Sequence, residues 1–377
     1  MMKLKRKFAV IGAGNGGKAM AAHLALMGQK VMLYNRTPSK IEAIKEMGGI
    51  RLRSFEGGPN GFGKLELASS DYSEIIPRAE VIMIVVPSSA HADVAEKIGP
   101  FLKDRQTIIL HPGRTGGSIH VNRVLHQCGF KAKVTIAEAE TFIYASRSEG
   151  PAEARIFRVK EAVPLAALPA TSTRKVLDIL KPIYPEFIDG VDVLHTSLNN
   201  MGGIFHPALA LLNAGWIERT GGNFQFYIDG VTKSTARVLE VLDRERVTVA
   251  SAIGIRARGA LEWLRISYNV YGDSIFEAIH DQEGYYGIMA PKSLNHRYIF
   301  EDIPMSLVPL ASFAQRYGVS VRGIESLIRL ACFVHQTDYW SSGRTLKKLG
   351  IERMSVGELT NYVKTGALHT PIQNKTA

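Results

Sequence analysis

Cysteine and long apolar runs are scarce in this sequence of 377 residues. The only two cysteines, Cys128 and Cys332, are far apart and lack metal-ligand spacing. We therefore expect two free, buried thiols in a reducing cytoplasm and no metal site. No apolar segment is long enough to cross a bilayer, which predicts a chain without a membrane partner. Lys3–Lys7 before an apolar run imitates a signal peptide, but glycines, Asn15 and Lys18 interrupt that run early.

Acidic residues are fewer than basic ones, with 35 Asp and Glu against 46 Lys and Arg. The excess of positive charge favours anionic ligands. The basic residues are scattered, however, and there is no arginine-rich arm or aromatic RNP-like string, so nucleic acid is not expected as a partner. Small anionic metabolites and a phosphorylated cofactor account for the charge equally well.

A glycine-rich stretch near the start predicts dinucleotide binding. The apolar run Phe8–Ile11 leads into Gly12-x-Gly14-x-x-Gly17, and a helical pattern follows from Lys18 to Met27. The first glycine permits a tight turn, the second lets backbone approach a pyrophosphate, and the third lets helix pack on strand. The residues expected to hold the cofactor here are Gly12, Gly14, Asn15, Gly16 and Gly17. The alternative is a glycine-rich turn of an α/β protein without this ligand.

The residues after the second predicted strand bear on which dinucleotide binds. A site for NAD normally has Asp or Glu near position 35, whereas this chain has Asn35-Arg36-Thr37. A guanidinium flanked by an amide and a hydroxyl matches a 2′-phosphate in geometry and charge. NADP(H) is therefore the preferred cofactor, and NAD(H) remains an alternative if Arg36 is only a solvated loop charge.

Residues 1–184 alternate between strand and helix patterns, which predicts a doubly wound α/β Rossmann domain. Val81–Val86 is a fully apolar run typical of a central parallel strand, and Ser88 is predicted to cap a helix. Ligands bind at the carboxyl ends of such strands, so we expect Pro87 and Pro112 to border the cofactor. For the glycines between 113 and 117, simple turn chemistry explains the residues equally well.

Residues 185–365 show mainly helical periodicity, and 366–377 form a predicted loose tail. The predicted helices are His195–Ala214, Thr235–Ile253, Gly259–Tyr268, Ile275–Asp281, Leu307–Tyr317 and Arg322–His335.

One of these helices carries a stripe of polar and very small residues. On a continuous helix Asn199, Gly202, Gly203 and His206 share a face. Glycines and Pro207 disfavour a helix, so close approach of a flat ligand such as nicotinamide is one explanation for them. A kinked helix with His206 as a buried core histidine is the other.

A second segment, Leu294–Pro304, mixes charged and aromatic residues. Arg297 suits a bidentate contact with a carboxylate, and Asp302 suits holding a histidine in one tautomer. Either residue alone is as well explained by a surface ion pair.

Over nearly its whole length the chain resembles the opine dehydrogenases. The resemblance is strongest to the bacterial N-(1-D-carboxyethyl)-L-norvaline dehydrogenase type, and the octopine and nopaline dehydrogenases are more distant. The matching motifs are Gly12-x-Gly14-Asn15-Gly16-Gly17, Ile84-Val85-Val86-Pro87, Pro112-Gly113-x-Thr115-Gly116-Gly117, Arg147-Ser148-Glu149, Val193-Leu194-His195-Thr196-Ser197-Leu198, His206-Pro207, Leu211-Leu212-Asn213-Ala214, Arg297-Tyr298-x-Phe300-Glu301-Asp302 and Gly343-Arg344-Thr345-Leu346.

This resemblance implies a Rossmann domain joined to an all-α domain of the 6-phosphogluconate-dehydrogenase-like kind, with the active site in the cleft between them. It implies that His206 is the catalytic histidine, Asp302 its carboxylate partner and Arg297 a binder of substrate carboxylate. The bacterial type has an acidic residue after its second strand and uses NAD, unlike this chain. It also has an asparagine four residues before the histidine, where this chain has Gly202, and Asn199 is the predicted substitute in substrate binding.

The predicted reaction is NADPH-dependent reductive condensation of an amino acid with a 2-oxo acid, and the reverse oxidation. Two other hypotheses stay open: simple reduction of a 2-oxo or 3-hydroxy acid, as in ketopantoate reductases, and an NADP-binding sensor without turnover. The ketopantoate reductases typically use a lysine on the first interdomain helix, and no lysine lies between His195 and Ala214. We also expect a homodimer.

Overall fold

The structure, a computed structural model, describes residues 5–367. Residues 368–377 of the predicted tail therefore lie outside the described residues, as do the first four. Within residues 5–367 the structure has no helix of the length and apolar character that a membrane span requires.

In the part of the chain that the structure describes, twelve strands form two sheets. The strands are β1 (Lys7–Ile11), β2 (Lys30–Tyr34), β3 (Gly49–Ser54), β4 (Gly61–Lys64), β5 (Leu67–Ser69), β6 (Val81–Ile84), β7 (Thr107–Leu110), β8 (Thr135–Ala139), β9 (Tyr144–Gly150), β10 (Glu153–Val159), β11 (Val163–Leu168) and β12 (Phe187–Asp189).

The larger sheet has eight strands in the order β12-β11-β8-β7-β6-β1-β2-β5. Its pairs are parallel except that of β11 with β8, which is antiparallel. Every residue of β6 and β7 is buried, because helices cover both faces of the sheet. This confirms the predicted Rossmann fold of the N-terminal domain.

A separate four-stranded sheet, in the order β4-β3-β10-β9, packs against the helix that follows β1. The sequence did not predict this second sheet. Asn15, at the start of that helix, holds it in place, because its Oδ1 accepts a hydrogen bond of 3.0 Å from the backbone N–H of Ser148 on β9. The Nζ of Lys18 donates to Ser148 Oγ at 2.8 Å and to the carbonyl of Gly150 at 2.7 Å.

Helices cover the larger sheet and make up the second domain. Those of the first domain are α1 (Asn15–Leu26), α2 (Glu42–Met47), α3 (Tyr72–Ile75), α4 (His91–Ile98), α5 (Gly117–Gln127) and α6 (Thr173–Leu180). Those that follow are α7 (Val193–Leu198), α8 (Gly202–Leu212), α9 (Ala214–Thr220), α10 (Lys233–Ala252), α11 (Ala260–Tyr268), α12 (Ile275–Asp281), α13 (Arg297–Phe300), α14 (Val308–Tyr317), α15 (Arg322–His335), α16 (Tyr339–Ser342), α17 (Leu346–Leu349) and α18 (Val356–Thr365). A π-helical turn, Ile303–Leu307, leads into α14.

The single helix predicted over His195–Ala214 is wrong, since α7 ends at Leu198 and α8 begins at Gly202. The prediction that Ser88 caps a helix is also wrong, because the structure shows no side-chain cap there. The two cysteines are free, but Cys128 is exposed and Cys332 half-buried, so the prediction that they are buried is wrong.

The end of the described chain returns to the first domain. Helix α17 packs on α5, and α18 packs on β11. Asn122 of α5 donates a 3.0 Å hydrogen bond to the hydroxyl of Tyr362 in α18. The predicted boundary at residue 184 falls just before β12, the last strand of the larger sheet.

Candidate active site

The glycine loop after β1 leaves room for a pyrophosphate at the N-terminus of α1. Gly12 has φ +113°, and Gly17 packs so closely on the Gly12 carbonyl that a Cβ there would clash at 1.7 Å. A Cβ on Gly14, in contrast, would meet nothing within 4 Å. Gly14 is the N-cap of α1 and no side chain caps it, so the first N–H groups of the helix are free for a ligand. These residues therefore fit the phosphates of a dinucleotide.

The three residues predicted to select the dinucleotide lie beside this loop. Asn35 Oδ1 accepts a hydrogen bond from Ala13 N at 3.1 Å, and its Nδ2 donates to the carbonyl of Thr37 at 3.1 Å. Arg36 is exposed and, within residues 5–367, has no carboxylate at ion-pair distance. Burial raises the pKa of nearby Tyr72, and the positive charge of Arg36 opposes that effect.

Two further loops leave the carboxyl ends of β6 and β7 and begin with Pro87 and with Pro112. Both are tied to the helical domain by Arg344, whose side chain is completely buried. Its Nη2 donates to the Ser88 carbonyl at 3.1 Å, and its Nη1 donates to the carbonyls of Gly113 and Thr115 at 3.1 and 2.9 Å. These bonds fix the two loops at the cleft between the domains.

His206 and Asp302 form a hydrogen-bonded pair at this cleft. His206 Nδ1 lies 2.9 Å from Asp302 Oδ2, and the aspartate is fully buried. Because an ionised carboxylate only accepts, Nδ1 carries the proton, which leaves Nε2 for a ligand. The ring stacks on Tyr298 with 4.2 Å between centroids, so its orientation is set from two sides. The predicted pairing of these two side chains is present in the structure.

The proton affinity of His206 is balanced by opposing neighbours. Burial lowers its pKa, and the hydrogen bond and charge of Asp302 raise it. The positive charges of Arg114 and Arg297 lower it further, so the net pKa of His206 is below its ordinary value. Without Asp302 the imidazolium form would have no nearby anion in hydrogen-bond contact.

Glu301, next to Asp302 in the chain, is a buried anion that joins several elements. Burial favours its neutral form, but Arg114, Arg297 and hydrogen bonds from Ser88 hold its pKa at about 2. Its Oε1 accepts from the N–H and the hydroxyl of Ser88 at 3.0 and 3.1 Å. Its Oε2 lies 3.0 Å from Nε of Arg297, whose side chain is 46% exposed. The structure thus brings Arg297 to the site beside the His206 pair.

Arg114 is a site residue that the sequence analysis missed. It comes from the loop after β7, is 6% exposed, and its Nη1 lies 3.2 Å from Asp302 Oδ1. Its Nε lies 3.5 Å from Glu301 Oε1. Burial works against its charge, yet Asp302 and Glu301 raise the pKa of Arg114 above the ordinary value. Arg114 has φ +59°, a left-handed conformation that costs a non-glycine residue roughly 1–2 kcal/mol.

The asparagine that reaches this cluster is Asn200. Its Oδ1 accepts from Arg114 Nη1 at 3.3 Å, and its Nδ2 donates to Ser306 Oγ at 2.9 Å. Asn199 instead uses its amide on backbone groups, donating to the His195 carbonyl at 3.0 Å and accepting from Arg258 N at 2.8 Å. Because of the break between α7 and α8, Asn199 does not share the predicted stripe with His206. Its assignment to substrate binding stays a prediction that these hydrogen bonds do not favour.

The arrangement is suited to oxidation and reduction with acid–base assistance. A dinucleotide cradle, two loops at the nicotinamide end of the sheet, and an oriented histidine meet in one cleft. Within residues 5–367 there is no cluster of metal ligands. The fold and site therefore define a two-domain, pyridine-nucleotide-dependent oxidoreductase.

Known proteins identify the family. The family model described as NAD/NADP octopine/nopaline dehydrogenase, alpha-helical domain, matches residues 190–335. The NAD-dependent glycerol-3-phosphate dehydrogenase N-terminus matches residues 7–113. An opine dehydrogenase of Arthrobacter sp. (strain 1C) is 35% identical over 95% of this chain and 99% of its own length. The chain belongs to the opine dehydrogenase family, whose members are oxidoreductases acting on CH–NH bonds.

Solved structures support the same fold. An octopine dehydrogenase with NADH and L-arginine has a TM-score of 0.79 at 20% identity, covering 97% of this chain and 99% of its own. A yersinopine dehydrogenase with NADP+ bound has a TM-score of 0.77 at 14% identity, covering 92% and 98%. These likenesses support the predicted fold class of this chain, a Rossmann domain followed by a helical domain, which is confirmed.

Proposed function

We propose that the chain reduces the imine formed between an amino acid and a 2-oxo acid such as pyruvate, with NADPH as the preferred reductant. The observation that carries this proposal is the His206–Asp302 pair, set beside Arg297 where the cofactor loops meet the helical domain. Family membership supports the reaction class. The reverse oxidation uses the same groups, because each proton transfer is reversible.

Arg297 is proposed to bind a substrate carboxylate. Its Nε is paired with Glu301, and within residues 5–367 its two Nη groups make no hydrogen bond. The planar Nη edge of a guanidinium matches a carboxylate with two parallel hydrogen bonds. Glu301 holds the stem of this fork, so the edge is offered in a fixed direction. This contact would place the oxo acid next to His206.

His206 is proposed as the general acid. As the amine adds to the oxo acid, one proton passes from its nitrogen to the carbonyl oxygen and gives a carbinolamine. The hydroxyl of the carbinolamine needs a second proton to leave as water, and Nε2 of His206 supplies it, which leaves a protonated imine. Asp302 stabilises the imidazolium before that transfer and keeps the ring oriented after it. In the oxidative direction neutral His206 accepts a proton from the water that adds to the protonated imine. The reduced nicotinamide, when bound, supplies the hydride that the imine carbon receives.

Preference for NADP(H) is proposed from Arg36. Its guanidinium is exposed beside the glycine loop and lacks an acidic partner in the described part of the chain. Asn35 and Thr37 flank it, and no carboxylate stands at this position to repel a 2′-phosphate. Pro87 and Pro112 are proposed to border the nicotinamide end, since both loops leave the carboxyl ends of central strands.

The test is oxidation of NADPH and of NADH, followed by absorbance, with pyruvate or glyoxylate and with or without pooled amino acids. We expect oxidation only when oxo acid and amine are both present, and faster oxidation of NADPH than of NADH. Oxidation with the oxo acid alone would replace the proposal by the ketopantoate-reductase-like reaction. Tight cofactor binding without oxidation under any condition would favour the sensor.

The cytoplasmic location and the homodimer expected from the sequence stay predictions. Sedimentation velocity of the full chain tests the second of them. A single species at the monomer mass would contradict it.

A further inference from the structure

We propose that Arg114 is the positioning residue that orients Asp302, and through it His206, toward the nicotinamide side of the cleft. We also propose that Gly202 is a glycine because any side chain there would displace Arg114. This inference rests on the proposed function, since it concerns how the acid–base pair is held for that reaction.

Arg114 links the two halves of the site. It belongs to the loop that follows β7, whereas Asp302 and Glu301 follow α13 in the helical domain. The neighbouring residues of its loop also cross the cleft: Thr115 N donates to the Met305 carbonyl at 3.2 Å, and Gly116 N donates to Ser197 Oγ at 2.9 Å. These bonds fix the loop that carries Arg114 against the helical domain.

The two oxygens of Asp302 have separate partners. Oδ2 accepts from His206 Nδ1, and Oδ1 lies against Arg114 Nη1. Within residues 5–367 no other arginine or lysine is paired with this carboxylate. Asp302 Oδ1 is buried and makes no hydrogen bond, so the charge of Arg114 at 3.2 Å is what compensates it. Rotation of the carboxylate would lengthen that ion pair in a buried place, which favours the orientation in which the other oxygen points at the imidazole.

Gly202 leaves the space that Arg114 occupies. A Cβ built on Gly202 would lie 2.6 Å from Arg114 Nη1 and 3.1 Å from His206 Cε1. An arginine tip can ordinarily move aside, but this one is buried and paired with Glu301 and Asp302. Any shift would weaken those ion pairs. The glycine at position 202 is thus explained by a neighbour from the other domain.

The charged and titratable groups that face His206 come from the loop after β7 and from residues 296–302, in and beside α13. They are Asp302, Arg114, Arg297, Tyr298 and His296. Arg114 and Arg297 both lower the pKa of His206, and Asp302 raises it. Loss of the Arg114 charge alone would therefore raise the pKa of His206, whereas a displaced Asp302 would no longer raise it, so the sign of the change in pKa reports whether Asp302 has moved.

The experiment compares wild type with Arg114→Gln, Arg114→Lys and Gly202→Ala. Histidine C–H resonances are titrated by NMR on the full chain, and the His206 signal is assigned by its loss in His206→Asn. We expect Arg114→Gln to displace Asp302 and so to lower the His206 pKa by about one unit, and Arg114→Lys, which keeps the charge, to leave it near the wild-type value. A raised pKa in Arg114→Gln would show loss of charge without displacement of Asp302 and would overturn the positioning role. Gly202→Ala should lower kcat by about 100-fold, as expected for a misplaced catalytic group, with the KM for NADPH unchanged.

Gly215→Ala is the matched control. Gly215 lies in α9 of the same domain, is exposed, and a Cβ there would meet nothing within 4 Å. We expect wild-type kcat and wild-type His206 pKa. Thermal unfolding of each variant shows which ones are folded.

The proposal is overturned if both Arg114→Gln and Gly202→Ala leave kcat and the His206 pKa at wild-type values. It is also overturned if Gly202→Ala weakens NADPH binding by as large a factor as it lowers kcat, since that result would indicate that Gly202 shapes the cofactor site. If the wild-type chain shows no amine-dependent oxidation, the proposed function fails, but the NMR titration still decides whether Arg114 acts on His206.

Discussion

Replacing Asp302 by asparagine should disable the proton transfer while leaving the shape of the site almost unchanged. The substitution keeps the size of the side chain but removes the charge that lies 2.9 Å from His206 Nδ1. In the direction of reduction His206 must carry a proton, so the rate falls as the pH rises through the pKa of His206. Asp302 raises that pKa, and its removal should move the basic limb of the kcat profile to lower pH.

The size of the effect follows from the geometry. An opposite charge within hydrogen-bond distance shifts a pKa by roughly 1–3 units, so the limb should move by about that amount. A positioned general acid contributes about 10²–10⁴-fold to a rate, and we expect Asp302→Asn to lower kcat at neutral pH by at least about 100-fold. The KM for NADPH should change little, because the glycine loop lies on a different part of the cleft.

The assay is the initial rate of NADPH oxidation with oxo acid and amine across the pH range. The chain offers a matched control, since Asp192 and His195 form a second aspartate–histidine pair, with Oδ1 2.8 Å from Nδ1. Asp192 is the N-cap of α7, a position where asparagine is equally favoured, so Asp192→Asn should keep wild-type kcat. An Asp302→Asn enzyme with wild-type kcat and an unmoved limb would remove Asp302 from the mechanism.

Three further predictions concern the charges around the site. Arg36→Ala should weaken NADPH binding by about 10- to 100-fold, because charge-assisted hydrogen bonds would be lost, and it should leave NADH binding unchanged. A fluorescence titration measures both affinities, and an unchanged affinity for NADPH would refute the role of Arg36. The pKa of Glu301 is lowered from 4.5 to about 2. Ionised Glu301 therefore stabilises the fold by about 3 kcal/mol at neutral pH. This contribution is lost as the pH falls from about 4.5 through 2. Denaturant unfolding of Glu301→Gln should therefore show a deficit at pH 7 that shrinks in acid, and a deficit independent of pH would contradict this account. Arg297→Lys should raise the KM for the oxo acid by about tenfold, because an ammonium cannot make the two parallel bonds of a guanidinium. An unchanged KM would exclude Arg297 from carboxylate binding.

Elements with strong local patterns were predictable from the sequence. The bounds predicted for Ile275–Asp281 and Arg322–His335 are those of α12 and α15. In both cases apolar residues recur with the period of the helix, and no distant partner is needed to define it. The glycine loop was recognisable for the same reason, because its constraint is the backbone conformation of the loop itself.

The break between α7 and α8 could not be predicted from such patterns. Residues 199–201 continue the helical spacing, but Asn200 bonds Arg114 and Ser306, which lie far away in the chain. Arg114 was missed because the glycines of its loop are enough to account for the turn, so the turn itself does not indicate a role for the arginine. One signal was present: it is the only charged residue between Pro112 and Gly117. A charged side chain amid turn residues gives no indication of its partners until the fold is known.

The hydrogen bonds that Arg344 makes to loops of the first domain bear on whether the two halves of the chain can be separated. The carbonyls of Ser88, Gly113 and Thr115 receive their hydrogen bonds from a residue more than two hundred positions later in the sequence. A fragment that ends after the larger sheet would retain every glycine of the cradle, yet it would lack the donor that holds both loops beside it. The nucleotide half is thus completed by a part of the chain that is synthesised much later, and its two loops should reach their final shape only after translation has passed Arg344.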